Sequence, residues 1–186
     1  MINLEPAYEQ HGYHHGGGRF TAAQVRRASW WSMPGGACAG IGYGAHGVWQ
    51  WFRACGVFTA TGSSLQPFAW PSAMTFRGAD DVALLASLLR THRLDRLSAD
   101  QNLLDPNHSE VEGRVIAAGV RAASGADGDL MAVYLPFAHR VRLRRDLTGF
   151  AATGWDLEDR VPVMPVLTAD AGAPRSSRPT SAATCW

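Results

Sequence analysis

The chain has little with which to cross-link itself or to grip a polyanion. Its three cysteines, Cys38, Cys55 and Cys185, are odd in number and widely spaced, so neither a disulfide framework nor a CxxC zinc site is visible. A formal net charge of +1 gives no cluster of uncompensated basic side chains, so neither nucleic acid nor an anionic membrane surface is an expected partner. No run approaches the roughly 18 apolar residues of a membrane span. Met1-Ile2-Asn3-Leu4-Glu5 lacks the basic start and apolar core of a signal peptide, and the chain as written is expected to stay in the cytoplasm. Nucleotide-loop and zincin motifs are missing as well. Gly16-Gly17-Gly18 followed by Arg19 is a lone weak phosphate cue, and His11, His14 and His15 sit in a glycine-loosened loop without the fixed companions that catalytic zinc needs. No cofactor and no metal is expected.

What is present suffices for a packed core: 186 residues, 46% hydrophobic and 10% aromatic, room for one ordinary domain or two small ones. Residues 1–5 have the texture of a short apolar strand ended by Pro6, which cannot extend a ladder. Thr21-Ala22-Ala23-Gln24 has the spacing of a capping box, and Val25, Ala28, Ser29 and Met33 recur at helical intervals, predicting a helix over 22–33 that Pro34-Gly35-Gly36 ends. Small apolar residues from Ala37 to Ile41 suit a buried strand, after which Gly42 and Gly44 permit a tight loop beneath a ligand. Strand, helix and strand in succession predict a parallel α/β unit.

From Gly78 a second amphipathic helix is written by Val82, Leu84, Leu85, Leu88 and Leu89, with Asp80 and Asp81 at its positively polarised start and its end between Arg90 and His92. Beyond residue 104 the period falls to two, over 114–123, 130–135 and 139–145, with a strong hairpin signal at Asp127-Gly128 between the first two runs. Arg140, Arg142 and Arg144 alternate with Val141 and Leu143 as the solvated face of such a strand. From about Thr168 no periodicity survives and a disordered tail is expected. The expected organisation is therefore 1–104 as an α/β part, 105–167 as a β part, and 168–186 as tail.

Glycoside hydrolysis needs two carboxyl groups across the scissile bond. Glu5, at a strand end, is the first candidate, and Glu9 could assist or contact substrate, although composition alone makes both ordinary solvated loop carboxylates. Five of seven tryptophans, Trp30, Trp31, Trp49, Trp51 and Trp70, lie within forty-one residues, and flat indoles suit sugar rings. Trp30 and Trp31 belong on a helix and to the core. Trp49 and Trp51 point the same way if extended, which makes at least one of them a candidate to face a cleft, while His46 is as suited to a structural role as to bonding a substrate hydroxyl.

Three ordered stretches together carry a resemblance: Asn3-Leu4-Glu5-Pro6-Ala7-Tyr8-Glu9, then Val25-Arg26-Arg27-Ala28-Ser29-Trp30-Trp31, then Gly40-Ile41-Gly42-Tyr43-Gly44-Ala45-His46-Gly47-Val48-Trp49-Gln50. They resemble the last part of the apiosidase-like (DUF4038) catalytic domain of glycoside hydrolases. With Glu9, Tyr43, His46, Trp49 and Trp51 as the candidate substrate contacts, the resemblance implies a (β/α)8 TIM barrel whose seventh strand ends in Glu5, the nucleophile, and whose eighth is Ala37 to Ile41. It also implies that the acid/base partner stands on an earlier strand. Arg77-Gly78-Ala79-Asp80-Asp81 then opens the closing helix, and the β part resembles the small antiparallel sandwich, of collagen-binding type, that follows this domain. The expected function is that of a glycoside hydrolase fragment acting on a polysaccharide or oligosaccharide, inactive alone, with full-length relatives periplasmic or secreted. The alternative is a non-catalytic carbohydrate- or matrix-protein-binding module built on the β part.

Overall fold

The computed structural model describes residues 2–4, 6–13, 17–37, 39–53, 65–105, 110–111, 114–115, 121–136, 141–167 and 182–185. Glu5 lies outside them, as do His14, His15, Gly16, Cys38, Cys55, His139 and Arg140. Among the described residues no helix is long and apolar enough to cross a membrane.

The first helix, α1, spans Ala22–Ser32 and starts where the capping box predicts. The Gln24 amide donates to Thr21 Oγ1 (3.3 Å) and the Thr21 amide donates to Gln24 Oε1 (2.9 Å), so two of the donors that a helix start leaves open are satisfied reciprocally. It buries Val25, Ser29 and Trp30. Trp31, expected in the core beside Trp30, is instead 41% exposed and lies under the Arg121 guanidinium, 4.0 Å from the ring centroid. Successive helical residues point about 100° apart, so one face holds only one of the pair. A short α2 spans Trp70–Ala73 and the leucine-rich α3 spans Arg77–Thr91, burying Leu85 and Leu88.

The predicted parallel pair around α1 is present in reduced form. Asn3 bridges Ile41 and Glu9 bridges Ala45, both parallel and both isolated, in place of two continuous strands. Six residues separate the two bridges on the first segment and four on the second, so the registers differ by two and a regular ladder cannot run between them. Pro6 also lacks a donor there.

The strands, in chain order, are β1 Leu97–Ala99, β2 Glu110–Val111, β3 Arg114–Val115, β4 Arg121–Gly125, β5 Leu130–Tyr134, β6 Ala152–Asp156, β7 Val161–Val163 and β8 Ala182–Cys185. Six form one mixed sheet in the order β1-β4-β5-β8-β6-β7, and β2 pairs with β3 in a separate hairpin. The β4–β5 hairpin turns where Asp127-Gly128 predicts: Gly128 takes φ +67° and its amide donates to the Gly125 carbonyl at 2.9 Å. Two expectations change. Residues 141–145 form no strand, only a bridge between Leu143 and Leu104, although Arg142 and Arg144 stay exposed and Val141 and Leu143 pack inward as the alternation requires. Ala182–Cys185, expected inside a structureless tail, lies parallel to both β5 and β6 and joins them. Two open sheet edges supply its backbone partners, and no local side-chain pattern is needed for that.

The sheet has apolar contacts on both faces. Ala123, Leu130, Ala132 and Tyr134 join Trp30, Met33, Leu85, Leu88, Leu94 and Leu97 in one cluster, whereas Ala122, Met131 and Val133 join Leu103 and Leu104 in a second. The alternation along β4 and β5 assigns neighbouring residues to opposite faces. One core thus binds α1 and α3 to the sheet, and β1 enters that sheet from residue 97.

Candidate active-site corner at the strand ends

The second of the two isolated parallel bridges, between Glu9 and Ala45, lies on the C-terminal side of the pair, and the candidate residues gather at this strand-end corner. The Glu9 amide donates to the Gly44 carbonyl (2.8 Å) and the His46 amide donates to the Glu9 carbonyl (2.8 Å). The glycine at 44 leaves room for the Tyr8 ring, with which a Cβ there would collide.

Glu9, expected to contact substrate, is 3% exposed. Its Oε2 accepts the Tyr43 hydroxyl at 2.7 Å and the Gly78 amide at 2.9 Å. Gly78 is the second residue of α3, whose N-cap is Phe76, a side chain with nothing to offer an open amide. A carboxylate from 69 positions away therefore caps the helix, at the end where the peptide dipoles favour negative charge. A Cβ at position 78 would collide with Glu9 Oε2 and press on the Tyr43 ring, so a side chain there would displace the carboxylate. Tyr43 is held as a neutral donor: burial first, then the Glu9 hydrogen bond and charge, push its phenol well above its ordinary range.

His46, expected to be available to a substrate hydroxyl, is fully buried. Its Nδ1 lies 3.2 Å from the Gln10 carbonyl and 3.3 Å from Arg19 Nη1, and its ring sits 4.8 Å from that of His11. Burial, then the neighbouring His11 and Arg19, lower its pKa to about 4, so it is a neutral imidazole at pH 7. Arg19 fastens the surrounding loops, donating to the carbonyls of Gln10 (2.7 Å) and Gln66 (2.8 Å) and lying 5.0 Å over the Phe68 ring.

The tryptophans stand outside this polar interior. Trp49 is 52% exposed beside Tyr8, with ring centroids 6.4 Å apart, and Trp51 is 63% exposed and meets Trp70 edge-on at 5.0 Å. The corner accordingly has two layers: Glu9, Tyr43 and His46 inside, where they join the loops, and Trp49 and Trp51 exposed on the surface. Sequence reasoning passed over Tyr8 and the loop-fastening part of Arg19. The contacts that define them, the Tyr8 ring with Trp49 and Gly44 and Arg19 with the Gln66 carbonyl, join residues far apart in the chain and leave no local pattern. Among the described residues no three His, Cys, Asp or Glu side chains converge as a metal site requires.

The model of the apiosidase-like catalytic domain matches residues 1–95, just over half of the chain. The chain belongs to the apiosidase-like family. Its fold is similar to that of a solved glycoside hydrolase, with 26% identity, a TM-score of 0.52, and coverage of 67% of this chain and 26% of that one. It is also similar to a glycoside hydrolase family 5 structure from Bacteroides vulgatus ATCC 8482, at 25% identity and a TM-score of 0.53 over the same shares. The apiosidase-like chain thus spans about a quarter of the length of these solved proteins. No curated protein matches it.

Proposed function

We propose that this chain is the C-terminal part of an apiosidase-like glycoside hydrolase that cleaves glycosidic bonds in plant or microbial polysaccharides. The observation that carries this is the strand-end corner itself: two parallel segments joined through α1, lying inside the family match, with an exposed indole where substrate would stack. In a (β/α)8 barrel such ends line the active-site face. Glu5 is the nucleophile in this reading, on the segment that Glu9 anchors, while Trp49 and Trp51 meet the sugar. Glu9, Tyr43 and His46 hold the loops behind them. Two-carboxylate chemistry takes its acid/base group from an earlier barrel strand, so the chain is inactive by itself. The β part acts as a small sandwich module beside the barrel, and a polymeric substrate puts complete relatives in the periplasm or outside the cell.

The test joins the chain to its in-frame upstream coding region and measures polysaccharide hydrolysis with and without Glu5→Gln. Loss of about a thousandfold or more in kcat is expected for a missing nucleophile. Undiminished hydrolysis in the Glu5→Gln protein would remove Glu5 from the mechanism.

A further inference from the structure

The β6–β7 turn, residues 157–160, reaches back onto the first turn of α3 with charges rather than with a ladder. Arg160 Nη1 forms an ion pair with Asp80 Oδ2 at 3.0 Å and stands 3.7 Å from Asp81 Oδ1. Asp81, whose side chain is 1% exposed, also accepts from Arg26 of α1 at 3.0 Å. Glu158 pairs with Arg26, and its carbonyl accepts from Arg77. The turn is built to present these groups: Asp156 Oδ1 accepts the amides of Glu158 (2.8 Å) and Asp159 (3.1 Å), and Leu157 packs against the helix core. Arg160 itself sits at φ +59°, a left-handed conformation that glycine adopts without cost and arginine does not. An arginine there sacrifices backbone energy, and what the structure shows in return is its contact with Asp80 and Asp81.

Five consecutive residues of α3 therefore join two places. Arg77, Asp80 and Asp81 take the turn, and Gly78, between them, takes Glu9 and so the strand-end corner. We propose that Arg160 is a positioning residue for that corner: by clamping the first turn of α3 it keeps the Gly78 amide on Glu9, and through Glu9 it keeps Tyr43 in place. The consequence for sugar cleavage rests on the function proposed above, but the clamp can be tested without any sugar.

Amide hydrogen exchange of the 186-residue protein reads the bond directly. Arg160→Gly removes the cation while relieving the backbone, so the turn itself is not weakened. The Gly78 amide should lose about tenfold in protection, as expected when a part-buried ion pair stops holding a helix end, while Ala123 and Ala132 change by less than about twofold. Arg160→Lys, which keeps the charge, should restore protection to within about threefold of the parent. Unchanged Gly78 protection in Arg160→Gly overturns the proposal. So does a loss shared equally by Ala123 and Ala132, or one that Arg160→Lys fails to restore.

Discussion

The β4–β5 hairpin and the strand-end corner solve the same problem, holding two chain segments side by side, by opposite means. In the hairpin, four consecutive residue pairs from Arg121↔Tyr134 to Ser124↔Met131 are in register, and every residue of β5 is buried. Apolar area removed from water on both faces stabilises it, at about 25 cal/mol per Å², and many contacts share the load. In the corner the segments meet at isolated bridges, and the remaining order comes from single polar contacts: Glu9 to Tyr43 and Gly78, and Arg19 to Gln10 and Gln66. The hairpin can absorb the loss of any one contact. The corner has fewer to spare, and it is the corner that carries the exposed indoles of Trp49 and Trp51.

The largest effect that would break this contrast is at Glu9. Glu9→Ala removes the acceptor of a buried amide and of a half-buried hydroxyl together, and should destabilise the protein by about 3 kcal/mol in denaturant unfolding, the cost of leaving such donors unpaired. A change below about 0.5 kcal/mol, the usual range for surface substitutions, would show that the corner is held by something other than this carboxylate.

Acid should act on the same region next. The His46 pKa falls from the ordinary 6.5 to about 4 in the folded protein. Between those values the unfolded chain binds the proton and the folded chain does not, so the contribution of His46 to stability is fully present above pH 6.5. It shrinks as pH falls towards 4, by at most about 3 kcal/mol in total. Comparing the pH dependence of unfolding with that of His46→Gln isolates it: the parent should lose more stability than the variant between pH 6.5 and 4. Parallel curves would mean that His46 titrates normally and that the corner is wetter than its burial indicates.

The two regions were also unequally legible. The hairpin announced itself through alternation and Asp127-Gly128, and α1 and α3 through a capping box and leucines at helical spacing. Each of these is a local pattern, because each element satisfies its own backbone. The corner's composition was visible in Glu9, Tyr43, His46 and the tryptophans, but the division into an inner layer and an outer one was not. A carboxylate that caps a helix 69 residues away has no signature in its neighbourhood, and a strand such as β8, completed by edges on both sides, has none either. The register change between Asn3 and Glu9 was hidden for the same reason: two extra residues are a property of a pair of segments, and neither segment shows it alone.

Sugar binding at the indole surface tests the central claim most directly. Tryptophan fluorescence of the 186-residue protein, titrated with plant and microbial oligosaccharides, should show a saturable change that Trp49→Ala abolishes. Because Trp49 is 52% exposed and outside the polar interior, the same substitution should alter unfolding free energy by less than about 0.5 kcal/mol. The same saturable titration in Trp49→Ala as in the parent protein, or none in the parent with any oligosaccharide, would contradict the assignment of this corner to carbohydrate.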